Sequence, residues 1–272
     1  MTELDDPVAA AFLEWCVRER VPANTIRRRR AVLRAIGHPG AATREELEAW
    51  WATRTHLPNG QPRAESSRAN ELANLRTFYK WCQVWEHRTD DPTIRLRPPR
   101  VPGSLPRPAT RKQLQTVLEA ASDRPDLRRA VALGAYAGLR VSEAAALAWS
   151  DINLELHRIT VIGKGRKRRV IAISTTLLDE LGHPGAGNVV TGTTTTLTAD
   201  ALRRRINRLI ASTDAAITFH QLRHRYGTIA YQATGDLVAV RDLMGHASIA
   251  TTSGYAAAND TVAGRIAEAV TE

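Results

Sequence analysis

Six side chains in the C-terminal half could act together: Arg140, Lys164, His220, Arg223, His246 and Tyr255. Guanidinium forks match phosphate oxygens bidentately, and fixed positive charge stabilises the charge that spreads over a phosphoryl group in transfer. A phenol ionises only near ~10, so a nucleophilic Tyr255 needs a proton acceptor and a cationic surround. The set contains both. The chemistry it suits is transfer of a nucleic-acid phosphoryl group onto a tyrosine without metal. Singly, each residue has a plainer reading. Arg140 would pair at the surface with Glu143, three residues on; Lys164 would be a solvated turn lysine, and either histidine could be structural.

Charge and composition agree with a polyanionic partner. The 272-residue chain carries a net +10, and 43% of its residues are hydrophobic, enough for real cores. Residues 1–108 hold 18 Lys and Arg against 13 Asp and Glu, and 109–272 hold 20 against 15, so each half is +5. A basic tail on a neutral enzyme would not divide in this way, whereas two DNA-contacting domains would. Only Lys80, Lys112, Lys164 and Lys167 are lysines, which makes one in a glycine-flanked turn more informative. Cys16 and Cys82 are too few for a disulfide framework and read as reduced core residues. The N-terminus is acidic and unlike a signal peptide, and no apolar run reaches membrane-spanning length. A cytoplasmic protein is expected.

The elements that must position the six residues follow from periodicity. Six of the 13 prolines fall between Pro92 and Pro108, a density that excludes regular helix. This segment, with Arg95, Arg97, Arg100 and Arg107, reads as a basic linker at 96–108 between a domain at 1–95 and one at 109–272. Before it, helical spacing predicts four helices: Pro7 to Arg18, one capped by Asn24, one opened by a Thr43–Glu46 capping box, and one over about Ser66 to Trp85. After it, Thr110 caps a helix, a second spans Asp126 to Ala137, and a turn or short helix covers Ser142 to Trp149. The β-branched runs 158–162 and 169–173 flank a polar turn as a hairpin. Helices resume near 175–181, 198–212, 219–233 and 236–244. The fold class is mainly α with a small antiparallel hairpin: a helical bundle followed by an α+β domain.

Within these elements His220 and Arg223 share one helix face, and Gly138 before Arg140 permits a close backbone approach. Lys164 sits in the hairpin turn. Its neighbours Arg166, Lys167, Arg168 and Arg169 read as contacts to backbone phosphates, which carry no sequence information. Arg27, Arg28 and Arg30 on the second helix, and Arg203 and Arg204 on the helix near 198–212, read as further DNA contacts. His224 reads as a packed imidazole, and the tyrosines at 79, 136, 226 and 231 as core.

In order, the segments Ala137-Gly138-Leu139-Arg140-Val141-Ser142-Glu143, Ile162-Gly163-Lys164-Gly165, His220-Gln221-Leu222-Arg223-His224 and Leu243-Met244-Gly245-His246, with Tyr255 nine residues later, resemble the tyrosine recombinase (phage integrase) family. The resemblance covers roughly 109–260, and more weakly 1–95, the counterpart of the family's core-binding domain. It implies that Arg140 and Arg223 clamp the scissile phosphate, with Glu143 supporting the first. It further implies that Lys164 protonates the leaving 5′ oxygen, His220 takes or relays the tyrosine proton, and His246 bonds a non-bridging oxygen. Tyr255 would form a 3′-phosphotyrosine that a 5′-hydroxyl then displaces, with no cofactor and no metal. Gln221 stands where the family often has aspartate, and the Gly- and Thr-rich loop at 183–197 is plainer than its usual counterpart.

The implied partners are double-stranded DNA at specific sites and further copies of the chain, a tetramer on DNA. The tail helix after Asn259, with Val262, Ile266 and Val270 on one face, would link neighbours or else fold onto its own domain. With the helical domain starting near residue 7, a compact integrase without an arm-binding domain is favoured over a host-type recombinase that resolves chromosome dimers. A transposase or a relaxing topoisomerase of the same chemistry stays open, as does a catalytically silent DNA-binding regulator.

Overall fold

The computed structural model describes residues 5–101, 107–163, 168–191 and 197–245. The chain forms two compact units, Met1–Gly103 and Ser104–Glu272.

The first unit is built from α1 (Pro7–Arg18), α2 (Ala23–Ile36), α3 (Arg44–Thr53) and α4 (Glu65–Val84). Their apolar stripes meet in a core of Phe12, Leu33, Leu47, Leu72, Leu75, Phe78 and Tyr79. Asp6 caps α1 by accepting from the Ala9 N–H at 2.9 Å, and it also accepts from the Gly40 N–H at 2.6 Å. One buried carboxylate thereby ties the start of α1 to the α2–α3 connection. The Thr43–Glu46 capping box is present. The expected Asn24 cap is not: Pro22 occupies the cap position, and Asn24 lies in the first turn, accepting a bond from Arg27. The helix begins at Ala23, two residues earlier than a cap at Asn24 would need, so no side chain caps it. The proline-rich stretch does not run free from residue 96, because Leu96 is buried in this core and its carbonyl accepts from Arg76 at 2.7 Å.

The second unit contains α5 (Arg111–Glu119), α6 (Pro125–Tyr136), α7 (Val141–Ala146), strands β1 (Ile152–Asn153), β2 (Arg158–Ile162) and β3 (Arg168–Ala172), then α8 (Thr175–Leu181), α9 (Ala199–Ala211), α10 (Phe219–Thr234) and α11 (Leu237–Met244). The hairpin is antiparallel with Ile159 opposite Ile171, and the short β1 adds a third strand that periodicity did not expose. Two residues are too few to show a repeat. The plain loop at 183–197 contributes more than its composition implies. Val189 and Val190 are fully buried, and this segment exchanges backbone bonds with 147–149.

Helices α6 and α10 pack closely because Gly134 leaves room for the Phe219 ring, which a Cβ there would meet at 2.9 Å. That contact sets His220 and Arg223 relative to the end of α6. Among the described residues no helix is long and apolar enough to cross a membrane.

Candidate active site

A single carboxylate organises the site. Glu143 occupies the third position of α7 and reaches back to the backbone N–H of Arg140 at 2.8 Å, satisfying one of the orphan donors of the helix start. Its oxygens also accept from the Arg140 Nη1 at 2.9 Å and from both terminal nitrogens of Arg169, each at 2.9 Å. Arg223 lies 3.7 Å away. Burial pushes the Glu143 carboxyl up, but the Arg169 and Arg140 bonds outweigh it and hold the group down at about 2.

Arg223 is the most deeply buried cation among the described residues, 1% exposed, and it donates to the carbonyls of Gly138 and Met244. Gly138 is required here on two counts. Its φ is +64°, and a Cβ would meet the Tyr226 ring at 2.5 Å. Arg140 is 36% exposed and donates to the Gly245 carbonyl at 2.9 Å, so the shallower arginine faces solvent while the deeper one is fixed. His220 and His224 stand edge to face, their ring centroids 4.2 Å apart. Burial, then the charges of Arg223 and Arg140, lower the basicity of His220. Burial and its charged neighbours bring His224 down to about 4. Both shifts favour the neutral imidazole, the form with a ring nitrogen free of a proton.

Arg140, Glu143 and Arg223, singled out from the sequence, are thus brought together from the α7 start and α10, and His220 stands three residues before Arg223 on α10, exposed and against His224. Lys164, His246 and Tyr255 lie outside the described residues, as do Arg166, Lys167 and the tail after Asn259. Arg27, Arg28 and Arg30 are exposed on α2. Arg168, Arg203 and Arg204 are exposed as well, with Arg203 paired to Asp200 at 2.9 Å.

Arg169 corrects the sequence reading. Its place in the basic run 166–169 reads as a phosphate contact, yet its side chain is 11% exposed and turned onto Glu143. The signal was available, since strand alternation puts Arg169 on the same face as the buried Ile171 and Ile173. Gln221, the departure from the expected aspartate, is the capping-box partner of Thr218 at the start of α10.

The depressed Glu143 carboxyl makes a stability prediction. A folded value of about 2 against an ordinary 4.5 contributes on the order of 3 kcal/mol, present above pH ~4.5 and lost as pH falls through about 2. Glu143→Gln should therefore be less stable at pH 7 and show a flatter decline of thermal midpoint between pH 5 and 2. Parallel acid profiles for the two proteins would show that Glu143 is not the linked group.

Comparison with known proteins gives a consistent picture. The profile of the Phage integrase family matches residues 108–261. The tyrosine recombinase XerD of Xanthomonas campestris is 34% identical over 219 residues, covering 71% of this chain and 68% of that protein. XerD of Proteus mirabilis is 30% identical over 93% of this chain and 89% of its own length. Among solved structures, a transposon integrase in complex with circular intermediate DNA aligns over 97% of this chain and 99% of its own, with a TM-score of 0.72 at 17% identity. A lambda integrase dimer bound to a COC′ core site aligns over 89% and 94%, with a TM-score of 0.70 at 18% identity. At those identities the structural likeness concerns the fold, a mainly helical chain with a small antiparallel sheet. The arginine pair around a shared carboxylate, the family match over more than half the chain and the XerD relatives converge: this chain belongs to the phage integrase family, the tyrosine recombinases.

Proposed function

We propose that the Glu143-centred cluster is the strand-cleaving site of a site-specific DNA recombinase whose nucleophile is Tyr255. The observation that carries this reading is the pairing of a buried Arg223 with a half-exposed Arg140 around one ionised carboxylate. Such charge is fixed before substrate arrives and costs no reorganisation during reaction. Arg140 and Arg223 hold the non-bridging oxygens of the scissile phosphate, and His246 adds a hydrogen bond there. The neutral His220 accepts the phenol proton as the Tyr255 oxygen attacks phosphorus. Lys164 gives a proton to the departing 5′ oxygen, leaving a 3′-phosphotyrosine and a free 5′-hydroxyl. In the second step the partner strand's 5′-hydroxyl displaces the tyrosine. The ester conserves the phosphodiester energy, so neither ATP nor a metal enters the balance.

Double-stranded DNA is the proposed substrate, gripped by both +5 halves of the chain, with exposed Arg27, Arg28, Arg30, Arg168, Arg203 and Arg204 on the phosphate backbone. A homotetramer on DNA is the proposed working assembly, supported by the likeness to a lambda integrase tetramer bound to a Holliday junction. Two biological readings share this chemistry. The integrase reading has the family profile behind it. The host-type reading is favoured by relatives named XerC and XerD. An attachment-like inverted repeat beside the gene, overlapping host sequence, separates the first from the second.

The chemistry is tested by selecting a duplex from random-sequence DNA with the full chain, then denaturing the reaction. A covalent adduct mapping to the 3′ side of a single phosphate is expected. Specific binding with no adduct from the wild-type chain would leave a DNA-binding regulator as the correct reading.

A further inference from the structure

The last three carbonyls at the end of α11, those of Leu243, Met244 and Gly245, are each taken by a different arginine. Arg169 donates its Nε to Leu243 at 2.9 Å, Arg223 donates to Met244, and Arg140 donates to Gly245 at 2.9 Å. A helix end leaves such carbonyls without partners, and cations there are favoured by the helix dipole. Two of the three arginines belong to the proposed phosphate clamp. The third, Arg169, comes from β3, and nothing in the proposed chemistry uses it.

Its placement is specific. The guanidinium spends both terminal nitrogens on the two Glu143 oxygens, the fork-to-carboxylate geometry that a lysine cannot reproduce. Its remaining nitrogen holds Leu243. Its flank lies against Gly245, whose φ is +61° and where an added Cβ would come within 3.1 Å of the Arg169 Nη1. Arg169 therefore touches the carboxylate that aims Arg140 and the backbone immediately before His246.

We propose that Arg169 is a positioning residue of the cleavage site, fixing Glu143 so that Arg140 is aimed and holding the end of α11 in register with it. The inference rests on the recombinase reading above. It assigns Arg169 no contact with DNA; the residue acts through Glu143 and the Leu243 carbonyl. A shift of about 1 Å in a positioned catalytic group can cost on the order of 100-fold in rate, so removal of Arg169 should slow cleavage while leaving binding alone.

The experiment uses the full chain and the duplex recovered by selection. Arg169→Ala should bind that duplex within about threefold of wild type and with the same salt slope, since each lost phosphate contact would lower the slope by about one. Covalent adduct should form about 10- to 100-fold more slowly. In the Glu143→Gln background the same substitution should cost less than it does in the wild type, only the part carried by the Leu243 carbonyl remaining, because residues acting through one another are not additive. Arg169→Lys keeps the charge and guards against misfolding of the alanine variant. It should bind normally, unfold near the wild-type temperature and still cleave at least about threefold slowly for want of the fork.

A reduced salt slope with weakened binding would make Arg169 a phosphate contact and overturn the proposal. So would multiplicative losses in the double variant, or wild-type cleavage by Arg169→Lys. If the wild-type chain itself forms no adduct, the recombinase reading fails first and this inference with it.

Discussion

Replacing Tyr255 with phenylalanine is expected to leave specific DNA binding intact and to abolish the covalent adduct. The substitution removes one oxygen and keeps the ring, so the cationic surround and the duplex contacts are undisturbed. Removing a covalent nucleophile costs on the order of 10⁶ in rate in well-studied enzymes, which places residual adduct below detection. The other tyrosines are poor substitutes. Tyr79 is fully buried, its hydroxyl donates to the Pro39 carbonyl at 2.8 Å, and burial drives its ionisation far above the ordinary range. Burial likewise raises Tyr136 and Tyr226, and Tyr231 packs with Val240 and Met244. Burial thus disfavours the phenolate at Tyr79, Tyr136 and Tyr226, and Tyr231 is enclosed by apolar neighbours. The check is a denaturing gel of the Phe variant with the selected duplex. A denaturant-stable complex at wild-type yield would move the nucleophile off Tyr255.

Most of the architecture was legible because it depends on local rules. The capping boxes at Thr43 and Thr110 and the helix at 175–181 follow from side-chain spacing alone. The hairpin was legible because two β-branched runs flank a short segment with glycine and basic residues. What was missed depends on partners distant in sequence. Arg169 sits in a basic run, and its charge obscured the alternation that places it inward with Ile171. Glu143 could be assigned to Arg140 from the three-residue spacing, but its bonds to Arg169, 26 residues on, arise only when the fold brings β3 within reach of the α7 start. The carbonyl contacts at Leu243 to Gly245 are backbone features to which no residue type points. Asn24 failed as a cap because the helix begins at Ala23, a boundary that propensity alone does not resolve.

Lys164→Ala should cut normal DNA at least about 100-fold slowly, the usual deficit when a positioned general acid is lost. A 5′-alkoxide is a poor leaving group, whereas an ammonium of pKa ~10.4 can supply its proton as the bond breaks. The last paired residues are Ile162 and Arg168, and the segment that carries Lys164 between two glycines joins them in the sequence. A substrate with sulfur in place of the bridging 5′ oxygen leaves readily as a thiolate and has little need of an acid. Lys164→Ala should therefore recover most of its rate on that substrate. Arg169→Ala, whose deficit arises at Glu143 and Arg140, should stay slow on it, because phosphate stabilisation is still required when the leaving group is good. The two variants give opposite responses to one atom change, which separates proton donation from charge stabilisation. Equal deficits of Lys164→Ala on the oxygen and sulfur substrates would place the acid on another residue.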